Sequence, residues 1–192
     1  GLDLPQAWYE GLKRDADRYG YQLIVREANW NVQAGAQAIN QLIGEKVDLL
    51  IIHPPEMLSY ARLVDKATAA GITVVQVNMK SPNTGDAYVG ANWTDVFTKQ
   101  GEAMSKLCGK GTGHNGKVAL IQGVLTTSGS QIGRAALKDY FATHKDLDVV
   151  ADQAADWDAT KARAVSGTIL KQHPDLCGFI GFWEVQDMGI AA

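Results

Sequence analysis

The sequence predicts an α/β fold in which parallel strands alternate with helices. Three features predict it. Short apolar runs alternate with amphipathic helical stripes along almost the whole chain. The strand-plus-helix unit recurs about every 25 residues, which requires crossover connections and therefore a parallel sheet. Glycine is plentiful, 20 of 192 residues, and several stand where a helix ends and the next strand begins.

The elements follow in order. Trp8, Leu12, Ala16 and Tyr19 recur at helical spacing over 6–19, and Gly20 stands at the C-cap position. Leu23-Ile24-Val25 is a short apolar run that suits a strand buried on both faces. Val32, Ala36, Ile39 and Ile43 share one helical face, and Gly44 closes that helix. The run 47–52 is the next strand, stopped by Pro54-Pro55. Met57, Ala61, Val64 and Ala67 mark a helix ended by Gly71, and 72–77 is a strand. A polar loop over 80–86 leads to the short run 87–90 and a helix over about 94–107. Residues 109–116 are the most glycine-dense stretch and the best boundary between two lobes. The alternation then resumes: strand 117–122, helix 130–143, strand 147–151, helix 159–171, strand 177–182, and a helix opening at 184. The chain opens on a loop and helix and closes as a helix begins, so a segment of a longer protein is expected.

Composition narrows the function. With 46% hydrophobic and 20% charged residues the chain is globular, not disordered. Lys and Arg number 18 against 21 Asp and Glu, which supplies no basic surface for nucleic acid. No apolar run approaches the ~20 residues of a spanning helix. Cys108 and Cys177 are too few for a disulfide scaffold and form no CxxC metal pair.

The familiar catalytic signatures do not survive inspection. Residues 111–116 spell GxGxxG, and Gly111 to Lys117 fits GxxxxGK, but these glycines precede a strand. A phosphate loop must follow a strand and open a helix, and Val118 replaces the hydroxyl that would hold magnesium. His53, His114, His144 and His173 keep no metal-ligand spacing, so no metal or cofactor is expected. His53 ends a strand beside Pro54, where a structural role outweighs a site role. The hydroxyl-rich loop 126–130 lacks a nucleophile elbow and reads as a binding or capping loop. Asp156 and Asp158 flank Trp157, but nothing sets their separation as a glycosidase pair.

The tryptophans say more. Trp30, Trp93, Trp157 and Trp183 all fall just after a strand or at the start of the next helix, whereas Trp8 lies on an apolar stripe and reads as core. In open α/β sheets ligands bind at the carboxyl ends of the strands. Flat indoles there, with Asn29, Asn78, Asn92, Gln131, Asp158 and Glu184 as neighbours, suit a polyhydroxylated ligand with CH faces to stack on and OH edges to hydrogen-bond.

These residues carry a family resemblance. Gly11 through Gly20-Tyr21-Gln22-Leu23-Ile24-Val25, then Asn29-Trp30-Asn31 through Ile43, Val47 to Pro54, Ala70 to Val75, Gly90-Ala91-Asn92, Gly116 to Ala119, Ala155-Asp156-Trp157-Asp158 and Gln172-His173-Pro174-Asp175 occur in the order and spacing of one family. Over nearly the whole chain the sequence resembles the periplasmic sugar-binding proteins of ABC importers, ribose-binding type. The resemblance implies two Rossmann-like lobes with parallel sheets flanked by helices, the type I periplasmic binding protein fold, truncated at both ends. It implies a first lobe over 1–108 and an incomplete second lobe over 109–192. It also implies a non-enzymatic role: capture of a sugar or sugar alcohol in the cleft, delivery to an ABC permease, and a location in the periplasm or, lipid-anchored, outside a Gram-positive cell. The resemblance puts Cys108 and Cys177 in different lobes, which implies no bridge between them.

Site residues carry over singly. Asn78 stands where the family often has aspartate, and Met79 where ribose-type members have arginine. Asn92 matches an aspartate or asparagine before a helix; Gln131 replaces an arginine that reaches the sugar. Trp157 matches an aromatic that stacks on the ring, and Trp183-Glu184 replaces an Asn-Asp pair. Leu4-Pro5-Gln6 replaces an aromatic pair, so nothing is carried over there. Relative to ribose binders the implied pocket has lost charge and gained aromatic surface, which suggests a less common sugar, a sugar alcohol or a cyclic polyol. The alternative is the effector domain of a LacI-type transcription regulator, which shares the fold and would carry a helix-turn-helix upstream. An α/β enzyme with a flavodoxin-like sheet has no fingerprint in its favour.

Overall fold

The computed structural model describes residues 3–83 and 85–192. The elements run α1 (Asp3–Tyr19), α2 (Val32–Gly44), β1 (Leu49–Ile52), α3 (Met57–Ala69), β2 (Thr73–Val77), β3 (Ala87–Val89), α4 (Trp93–Cys108), β4 (Lys117–Gln122), α5 (Ser128–Thr143), β5 (Asp148–Ala154), α6 (Ala159–Gln172), β6 (Gly178–Gly181) and α7 (Glu184–Ala191). The helices start where polar side chains cap them. Asn31 accepts from the N–H of Ala34, Glu56 from Leu58 and Ser59, Asn92 from Asp95, and Asp158 from Lys161.

Two three-stranded parallel sheets form, ordered β1-β2-β3 and β5-β4-β6. In the first, Leu49 pairs with Thr73 and Val75 with Ala87. In the second, Val118 lies between Val149 and Gly178. The first sheet buries Leu50, Ile52 and Val74 against Ile39 and Leu42 of α2 and Tyr60, Val64 and Ala67 of α3. The second sheet is covered on both faces. Leu120 and Ile180 meet Phe97 of α4 and Leu137 of α5, while Ala119 and Ile121 meet Ala162 and Ile169 of α6. That explains why residues 118–121 of β4 are an apolar run with no alternation. Ile121 and Leu137 are fully buried, each contributing about 1.5–3 kcal/mol by removal from water.

Two expectations change. Leu23-Ile24-Val25 is not a strand buried on both faces. Ile24 leans on the first core but Val25 is 53% exposed, because among the described residues no strand runs beside this segment to accept its ladder hydrogen bonds. α4, which ends at Cys108, packs against α5 and β6. Two glycines allow the approach: a methyl on Gly101 would stand 2.7 Å from the Tyr140 ring, and one on Gly133 would stand 2.6 Å from Phe97. Second, Cys108 and Cys177 are joined by a disulfide, with Cα atoms 5.9 Å apart. The packing of α4 is the cause, because it delivers Cys108 to the start of β6.

Candidate functional site

The expected site residues gather at the carboxyl ends of the two sheets, where strands hand over to helices. In the first unit the anchor is Asn78, just past β2, in left-handed backbone with φ 62°. Its main chain is fully engaged. The N–H donates to the carbonyl of Val89 at 2.8 Å, and the carbonyl accepts from the Tyr88 hydroxyl at 2.7 Å and from the Trp93 indole N–H. This fixes the side chain, whose Nδ2 lies 3.3 Å from Nε2 of His53 at the end of β1. Burial lowers the His53 pKa to about 4, so the ring is neutral near pH 7; with its proton on Nδ1, Nε2 accepts from the Asn78 amide. Trp8 and Trp30 stand edge-on to His53, with ring centroids 5.1 and 5.2 Å away. Trp8 is therefore half-buried against His53 and not a core residue.

In the second unit Trp157 follows β5 and Trp183 follows β6. Their rings meet edge to face, 6.3 Å apart at 80°. Trp157 fills the space above Gly123, where a methyl would stand 2.0 Å from Cε2 of the indole. Gly129, at the start of α5, lies between the units: a methyl there would stand 2.8 Å from Cε of Met79 and 3.6 Å from Cη2 of Trp157. Beside it, Ser128 donates its N–H to the carbonyl of Pro55 at 3.2 Å and its hydroxyl to that of Pro54 at 3.4 Å. The hydroxyl-rich loop thus seats one unit on the other.

The six expected residues are not equally well joined. Asn78, Trp157 and Trp183 belong to a continuous run through Met79 and Gly129. Asn92 adjoins it through Trp93, but its Oδ1 caps α4 at 3.4 Å, leaving the NH2 to act. Gln131 is exposed and donates back to the carbonyl of Thr126 at 3.4 Å; Glu184 is exposed in the first turn of α7. Among the described residues neither hydrogen-bonds to the other four. His53 was read as structural in the sequence, where its signal was a strand end before Pro54-Pro55; the structure puts it in contact with Asn78, Trp8 and Trp30. Asp158 is a cap, with Oδ1 2.6 Å from the N–H of Lys161. Two hollows of about 520 and 540 Å³ lie elsewhere, one between α4 and α5 over Ser105, Tyr140 and His144, the other between α1 and residues 21–25.

The periplasmic binding protein domain family matches residues 4–192. The chain belongs to that family. As a periplasmic binding protein domain it has the type I α/β fold that its sequence suggested, and the family is a solute-binding one, periplasmic or extracellular. A ribose import binding protein of Bacillus subtilis is 27% identical over 87% of this chain, and a xylitol-binding protein of Mycolicibacterium smegmatis is 26% identical over 95%. The chain spans about half the length of the curated relatives it matches, 53% and 51% of these two. A solved solute-binding protein from Burkholderia graminis, in complex with D-arabinose, has a TM-score of 0.77 and 29% identity over 91% of this chain and 60% of its own. One from Bacillus halodurans with bound myo-inositol has a TM-score of 0.83 at 20% identity, covering 94% of this chain and 63% of that one, a likeness of fold. Among the described residues of this periplasmic binding protein domain, no helix is long and apolar enough to cross a membrane.

Proposed function

We propose that the protein captures a neutral sugar or sugar alcohol between its two α/β units and hands it to an ABC permease. The observation that carries the reading is the unbroken run from Asn78 through Met79 and Gly129 to Trp157 and Trp183, which sets an amide and two indoles along one rim. Indole faces bury the CH surface of a sugar. Neutral amides satisfy its hydroxyls without the desolvation cost of a buried charge. Asn78, Trp157 and Trp183 are the proposed inner contacts; Asn92, Gln131 and Glu184 are proposed to close on the ligand from the edge. In this proposal α4, which packs on α5 and β6, belongs to the second lobe, so that the chain crosses between β3 and α4. Ligand that touches both lobes favours the closed arrangement, because only there are both sets of contacts made. The disulfide fits a periplasmic or extracellular location, where disulfides persist.

Isothermal titration of the full-length protein with D-ribose, D-arabinose, xylitol and myo-inositol tests the reading. Saturable binding of at least one is expected. Absence of heat with every one of them, in protein shown to be folded, would end it.

A further inference from the structure

The first lobe repeats the turn that carries Trp157. In each lobe a short polar residue and a tryptophan occupy consecutive left-handed positions: Asn29 (φ 47°) with Trp30 (φ 62°), and Asp156 (φ 50°) with Trp157 (φ 62°). In each, the following residue donates its N–H three positions back, Asn31 to Ala28 at 2.8 Å and Asp158 to Ala155 at 2.9 Å. That residue then caps the next helix, Asn31 accepting from Ala34 at 2.8 Å and Asp158 from Lys161 at 2.6 Å. Positive φ is disfavoured for residues with a side chain, and a bulky one is a genuine outlier there. Among the described residues only six non-glycines adopt it; four lie in these two turns and Asn78 is a fifth. The strained backbone is thus concentrated where the cleft residues stand.

The repeated turn does not end at Trp30. The indole, 47% exposed, abuts His53; His53 accepts from the Asn78 amide, and Met79 reaches Gly129 beneath Trp157. Of the Asn78 polar atoms only Oδ1 has no hydrogen-bond partner among the described residues.

We propose that Trp30 is the first lobe's wall of the cleft, the counterpart of Trp157, and that His53 is a positioning residue holding the Asn78 amide so that Oδ1 faces a ligand hydroxyl. The inference rests on the carbohydrate reading above and narrows it. Two indole walls on opposite lobes suit a ring with two CH faces, a cyclic polyol or pyranose, over an open-chain polyol.

Titration of myo-inositol, D-glucose and xylitol into wild type, Trp30→Ala, Trp30→Phe, Trp157→Ala, His53→Gln and His53→Leu tests it, with melting curves to verify folding. Wild type binds a ring ligand more tightly than xylitol. Trp30→Ala weakens ring binding by roughly tenfold or more and Trp30→Phe restores most of it. His53→Gln, which keeps an acceptor for Asn78, binds better than His53→Leu. Should Trp30→Ala not fold, fluorine NMR of 5-fluorotryptophan-labelled wild type substitutes, with the Trp30 resonance assigned from Trp30→Phe; it shifts on saturation with the ring ligand. Loss of binding in Trp157→Ala with Trp30→Ala unaffected, or an unshifted Trp30 resonance, overturns the proposal and leaves the carbohydrate reading standing. Equal loss in both His53 variants overturns the positioning role. No binding by wild type of any of the three overturns the proposal, and the carbohydrate reading falls with it only if D-ribose and D-arabinose also fail to bind.

Discussion

The Trp157 indole occupies the space that a side chain on Gly123 would need. A methyl on Gly123 would lie 2.0 to 2.2 Å from three atoms of the indole, so one residue's lack of a side chain sets where the other's ring stands. Gly123→Ala must therefore move Trp157. The expected result is a destabilisation of about 1–3 kcal/mol, the range for overpacking, with weakened sugar binding. Urea melts and titration calorimetry read the two effects separately; full stability and full affinity together would mean the ring is free to shift.

Trp157→Ala, with Gly123 intact, should weaken ligand binding by about 1–3 kcal/mol, the range of lost stacking and lost burial. Calorimetry with the best ligand of the panel measures it. An unchanged dissociation constant would remove Trp157 from the site.

His53 makes stability pH-dependent. Burial holds its folded pKa at about 4, below the 6.5 of the free side chain. Between these values the unfolded chain binds the extra proton and the folded chain does not, so stability falls as pH drops from 6.5 through 4 and is unaffected by this group above 6.5. The loss reaches at most about 3 kcal/mol. Urea melts from pH 7 to pH 4 should show a shallower slope for His53→Gln than for wild type; parallel slopes would refute the assignment.

The disulfide links residues 69 positions apart, the end of α4 to the start of β6. Chain-entropy reasoning puts its worth at about 4 kcal/mol. Reduction, or Cys108→Ser with Cys177→Ser, should lower the urea midpoint accordingly. Mass spectrometry of unreduced, alkylated protein shows whether the bond is present.

What could be read in the sequence was what short-range physics decides. The helices of the described residues lie close to where 3.6-residue stripes and terminal glycines put them, and residues 118–121 of β4 showed as an apolar run because both faces of the strand are covered. What could not be read depends on distant partners. Leu23-Ile24-Val25 has strand composition, but a strand also needs a neighbour. Pairing of Cys108 with Cys177 follows from α4 lying on the second sheet, which no local pattern announces. His53 looked inert because its partners, Trp8, Trp30 and Asn78, are 45, 23 and 25 positions away. Among the candidate site residues, the positions of Trp157 and Trp183 just after strands could be read from the sequence, whereas their ring contact and the run through Met79 and Gly129 depend on how distant elements pack.

The first sheet has two unlike faces. In β1, Leu50 and Ile52 are buried, whereas Leu49 and Ile51 point the other way and are 49% and 37% exposed. A lysine introduced at Ile51 is therefore expected to leave the urea midpoint nearly unchanged, while one at Ile52 would put a charge into the packed layer and collapse it.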